Sequence, residues 1–129
     1  MDRAFEQSKA LYSAMLDFVP AVPLSMPELK KRVEEIYELI RPVDLKAEIS
    51  TVFPNSVYVN GRIQAPDGNS YDLAPRFIMG GTVSQIKSLM CAVEDLTFMC
   101  YKLNGGDKFN YSPDLIDSIK GSVSSERSL

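Results

Sequence analysis

The chemistry open to this chain is narrowed first by what it lacks, because none of its 129 residues is a histidine. That removes the commonest general base and the commonest metal ligand together. The remaining reactive groups are two cysteines, Cys91 and Cys100, and carboxylates such as Asp44, Glu48, Asp67 and Asp72. A thiol or hydroxyl nucleophile would need an unusual activator here. The cysteines stand nine residues apart on one predicted helix. They are therefore about 13 Å apart along its axis and on nearly opposite faces, so they neither pair nor share a metal. They read as free thiols, which suits a reducing compartment. The carboxylates sit at alternating strand positions or in turns, where a solvated face accounts for them. No catalytic residue, metal ligand or cofactor is expected, and the chain reads as a non-enzyme.

Two patterns would bind without reacting. Gly80-Gly81-Thr82 ahead of a helix, with Arg76 nearby, offers backbone N–H groups and a helix dipole to an anionic ligand or nucleotide. It lacks the lysine and the length of a phosphate loop, so a plain turn with a helix cap competes with that reading. Lys30-Lys31-Arg32 is the only basic cluster, with Arg41 and Arg62 as outliers. RNA contact is one meaning. A solvated helix face is the other, because Glu34, Glu35 and Glu38 follow directly. A net charge of −3 argues against a protein whose main task is coating nucleic acid.

The elements that position these residues centre on GGTVSQIKSLMCAVEDLTFMCYKL, from Gly80 to Leu103. Thr82 followed three residues later by Gln85 is a capping-box pattern, and predicts a helix from about Val83. Ile86, Leu89, Met90, Val93, Leu96, Cys100 and Leu103 fall on one face at helical spacing. Asn104-Gly105-Gly106 ends the helix. Its other side carries Cys91, Phe98 and Tyr101, with Lys87 and Glu94 between them. A helix apolar on two sides is covered either by the same chain or by a second copy meeting it across a two-fold axis. Cys91, Glu94, Phe98 and Tyr101 are therefore the candidate protein interface, and a homodimer the candidate assembly.

Upstream, Arg3 to Phe18 forms a helix ended by Pro20 and Pro23. Ser25-Met26-Pro27-Glu28 opens a second helix that stops before Pro42. From Val43 the period becomes two: Leu45, Ala47 and Ile49 alternate with Asp44, Lys46 and Glu48. A second strand covers Val57 to Ala65, with a bulge or kink at Asn60-Gly61. Pro66-Asp67-Gly68-Asn69 is a turn, and a third strand starts at Ser70 or Tyr71 with Pro75 marking an edge or an end. Lys108 to Tyr111 reads as a short extended piece, and Ser112-Pro113 starts a last helix closed by Gly121. The expected fold is α+β: a three-stranded antiparallel meander with two N-terminal helices, one long central helix and a short C-terminal helix. Residues 1–121 make one globular domain and 122–129 a mobile polar tail. At 45% hydrophobic and 24% charged the composition is ordinary for such a domain. There is neither an apolar run of the roughly 20 residues that span a membrane nor a signal-peptide layout at the N-terminus, so an intracellular protein is expected.

Taken whole, from MDRAFEQSK through the central helix to SSERSL, the chain resembles the small accessory core proteins of the double-stranded RNA bacteriophages, the cystoviruses. The likeness lies in the chain as a whole, and carries no functional residue across. It implies a protein of the viral polymerase complex that assists capsid assembly, RNA packaging and transcription without chemistry of its own. The partners it implies are the major capsid protein, the polymerase, the packaging ATPase and viral RNA, and the location a virion core in the bacterial cytoplasm.

Overall fold

The computed structural model describes residues 3–65, 67–106 and 113–128. In chain order they form α1 (Arg3–Leu16), α2 (Met26–Glu38), β1 (Asp44–Ile49), β2 (Ser56–Gln64), β3 (Ser70–Asp72), β4 (Arg76–Met79), α3 (Thr82–Leu103) and α4 (Pro113–Arg127). This is the expected α+β layout, with a four-segment antiparallel sheet in place of three strands.

The fourth segment has a local cause. β2 is the central strand, paired with β1 on one side and with both β3 and β4 on the other. Between its β4 and β3 partners β2 advances two residues, Asn60 and Gly61, while the facing chain advances three, Leu73, Ala74 and Pro75. One extra residue is therefore bulged out on the facing chain, where Pro75 cannot donate to the ladder. The bulge or kink expected at Asn60-Gly61 does not interrupt β2, whose register with β1 is continuous from Val57 to Arg62, and the insertion lies opposite it. Gly61 is needed there, since a Cβ would stand 2.6 Å from the Asp44 carbonyl oxygen and 3.2 Å from Leu73.

α2 and α3 cover the inner face of the sheet, and α1 and α4 pack beyond α3. The core joins all of them: Met15 from α1, Leu29, Val33 and Ile36 from α2, Val57, Val59 and Ile63 from β2, Leu89 and Val93 from α3, Ile119 and Val123 from α4. α2 begins as its sequence predicts, with the Ser25 hydroxyl accepting from the Glu28 N–H and the Glu28 carboxylate accepting from the Ser25 N–H. The Ser25 hydroxyl, donating to the Glu28 carboxylate at 2.7 Å, and then the Ser25 N–H draw the Glu28 carboxyl below its ordinary pKa.

α3 begins differently. Gly81, at φ 90°, takes the cap position, and no side chain caps the helix. Gln85 is fully buried and turned inward, where its oxygen accepts from the Leu24 N–H at 3.1 Å and its amide nitrogen donates to the Val22 carbonyl. The proline-rich connector cannot satisfy these groups itself, so it takes the side chain that the capping box would have used.

The last helix also departs from expectation. It runs through Gly121 to Arg127, so residues 122–127 are helix and not a mobile tail. Val123 is buried against the core, and Arg127 reaches across to the Ser13 carbonyl and to Asp17 at 2.9 Å. Lys9 and Glu126 close a second pair at 2.7 Å. These tertiary contacts hold a segment whose own periodicity is too weak to announce a helix. The extended piece expected at Lys108 to Tyr111, and the Ser112 cap, lie outside the described residues.

Candidate functional site

The four residues expected to form an interface on α3 do not make one surface. Cys91 is exposed. Glu94 is engaged by Lys120 of α4 at 2.9 Å, a hydrogen bond that raises the Lys120 pKa. Phe98 is 8% exposed in the single chain, with the Lys102 ammonium 4.8 Å from its ring centre. Tyr101 is half-buried, its ring lying where a side chain on Gly106 would have to be. The aromatic centre of the expected seam is thus covered without a second copy. Of the two alternatives open from the sequence, cover by the same chain holds for Phe98.

The basic cluster is likewise divided. Lys30 pairs with Glu34 at 3.2 Å. Arg32 donates to the Phe18 carbonyl at 2.8 Å and lies 3.4 Å from Glu35, which ties α2 to the end of α1. Lys31 is left as the exposed, unpaired cation of the three among the described residues. One free lysine is a solvated helix face more than a phosphate-binding surface.

The anion cradle is also not assembled. β4 runs back along α3, so Arg76 at the start of β4 ion-pairs with Asp95. Asp95 is thirteen residues beyond Thr82, which is about 20 Å along the helix. Arg76 therefore stands far from the Gly80-Gly81-Thr82 turn.

What the structure does bring together is a set of aromatic side chains on the outer face of the sheet. Tyr58 on β2 sits directly opposite Phe77 on β4, and their ring centres are 5.1 Å apart. Phe53, from the turn between β1 and β2, meets Phe77 edge-on at 4.7 Å. Phe53 is 51% exposed and Phe77 39%, and beside them Val52 and Met79 also face solvent. Single exposed apolar residues are ordinary, whereas these form a contiguous group. The sequence held a signal for it. Arg76-Phe77-Ile78-Met79 has apolar residues in both phases of a strand, and only Ile78 is needed by the core.

The groups closest to chemistry lie elsewhere. Burial pushes the Tyr37 hydroxyl up to about 12, with Arg76 pulling weakly the other way. Cys100 is likewise raised by burial, offset in part by the Asn104 amide that donates toward its sulfur. Neither is an activated nucleophile. Among the described residues no cluster of three or more cysteines and carboxylates is placed to hold a metal ion, and no helix is long and apolar enough to cross a membrane. No protein-family model, curated protein or solved structure matches this chain.

Proposed function

We propose that the chain is a non-enzymatic accessory protein of a viral core that holds protein partners through the aromatic outer face of its sheet. The supporting observation is the Phe53, Tyr58 and Phe77 cluster, in which Phe77 is exposed on the outer face of β4, Phe53 is exposed in the adjoining turn and Tyr58 is half-buried beside Phe77. Burying one such ring is worth a few kcal/mol at about 25 cal/mol per Å². Aromatic residues are also the commonest anchors of protein interfaces. Resemblance to the cystovirus accessory core proteins supplies the context: capsid protein, polymerase and packaging ATPase as partners, with RNA packaging served by ordering them. Self-association belongs to the same reading, since a two-fold homodimer through this face covers it without any other chain.

The test is sedimentation velocity of the wild type and Phe77→Asp at two concentrations, run beside an assembly reaction with the capsid protein, polymerase and packaging ATPase. A dimer lost in the variant, or an assembly yield that falls at least several-fold with Phe77→Asp, is the expected result. A wild type that stays monomeric, together with an assembly reaction indifferent to Phe77→Asp, overturns the proposal.

A further inference from the structure

Beneath the C-terminal half of α3 lies a cavity of about 220 Å³, walled by Leu73, Phe98 and Met99 and bearing four polar side chains, Tyr37, Arg76, Asp95 and Lys102. Among the described residues, three donors on this lining, Arg76 Nε, the Tyr37 hydroxyl and the Lys102 ammonium, have no acceptor. Arg76 Nε is buried with no hydrogen-bond partner, because the guanidinium meets Asp95 through its outer nitrogen alone. The Tyr37 hydroxyl, on a residue 3% exposed, makes no hydrogen bond. Lys102 has the Phe98 ring for its neighbour and pairs with no carboxylate. Burial keeps Tyr37 protonated through neutral pH, so it is a donor there.

A buried donor without an acceptor costs free energy, and a folded chain that keeps one at Arg76 Nε, with the Tyr37 hydroxyl and the half-exposed Lys102 ammonium beside it, leaves room for something that accepts. The charges lining the cavity are Arg76 and Lys102 against Asp95, an excess of one positive. Its walls are apolar and aromatic. Met99 and Lys102 also line a second chamber of about 440 Å³, whose other polar groups are Asp67, Tyr71 and Asp72. Together they have the size and the make-up of a small-molecule site, mostly apolar with a few convergent polar groups.

We propose that this cavity binds a small organic anion, a phosphate monoester or carboxylate on a flat apolar body, with its charged end held by Tyr37, Arg76 and Lys102 and its body against Leu73 and Phe98. The site is separate from the aromatic face of the sheet. It is also distinct from the Gly80-Gly81-Thr82 turn, which lies at the other end of α3.

The experiment is titration of the full chain with phenyl phosphate, benzoate and neutral benzyl alcohol, followed by amide chemical shifts. It is repeated on Lys102→Met and Tyr37→Phe, each of which keeps most of the apolar bulk of the side chain it replaces. Phenyl phosphate or benzoate is expected to shift the amides of Leu73, Arg76, Phe98 and Lys102. Loss of the ammonium should weaken the better anion about tenfold, and loss of the hydroxyl about three- to tenfold. Benzyl alcohol should bind at least about tenfold less tightly than the better anion. Absence of site-specific shifts with both anions, or anion affinities unchanged in both variants, overturns the proposal. The two anions distinguish a phosphate from a carboxylate ligand. Because no variant touches Phe53, Tyr58 or Phe77, failure here leaves the interface reading standing, and failure there leaves this one.

Discussion

The far side of α3 and the outer face of the sheet each carry aromatic residues, and they have exchanged the roles that their spacing suggests. On α3, Phe98 lies opposite the main core stripe and looks from its position like an exposed seam, yet it is 8% exposed. On the sheet, Phe77 occupies the phase of β4 opposite to core-bound Ile78, and it stays 39% exposed beside Phe53 and Tyr58. The difference comes from layering. α3 packs against the sheet and the three other helices, and Phe98 faces a cavity it shares with Tyr37, Leu73 and Arg76, although Cys91 on the same side of the helix stays exposed. No described element packs on the outer face of the sheet, and the aromatic groups there stay open to solvent.

This contrast can be broken by substitution, and the largest effect is expected at Phe98. Phe98→Ala should cost about 3 kcal/mol of unfolding free energy, read from denaturant midpoints at unchanged slope, because it opens a hole beside Lys102 and Leu96. A loss below about 1 kcal/mol would mean that the residue is a surface group after all. Gln85→Ala comes next, at about 2 kcal/mol, because the Val22 carbonyl and Leu24 N–H lose their partner. Ser25→Ala should cost about 1 kcal/mol through the lost cap of α2, whereas Thr82→Ala, which removes no cap, should cost no more than a few tenths. Smallest of all is Phe77→Ser, within about 0.5 kcal/mol in the isolated chain. A Phe77 effect on stability equal to that of Phe98 would erase the distinction between the two regions.

The pair of caps shows which parts of the fold are legible in the sequence. Ser25 to Glu28 and Thr82 to Gln85 present the same pattern, and only the first becomes a capping box. Both glutamate and glutamine suit the position, but the buried connector at Val22 to Leu24 competes for Gln85, and nothing local reveals that demand. The alternation of Leu45, Ala47 and Ile49 with charged residues, the turn at Asp67-Gly68-Asn69 and the extent of α3 follow from short-range patterns, and each is present. The path of residues 122–127 depends on Arg127 finding Asp17 and Lys9 finding Glu126, contacts more than a hundred residues apart in sequence. Periodicity carries no trace of them.

Candidate sites were legible to a lesser degree for the same reason. Arg76 is expected beside the glycine turn that begins four residues after it, but its neighbours are Tyr37, Asp95 and Lys102. Strand direction decides this, since β4 carries Arg76 away from the start of α3. Phe53, Tyr58 and Phe77 are scattered over 25 positions of the chain, and only the register of β2 with β4 gathers them.

Hydroxyl-radical footprinting tests the central claim most directly, because it reads the side chains themselves before and after the protein joins a second copy or an assembled core. The account predicts that oxidation of Phe53, Phe77 and Met79 falls at least several-fold on association, while that of Cys91, exposed on the far side of α3, stays as it was. Unchanged oxidation of the three sheet residues, with protection appearing at Cys91 instead, would contradict it.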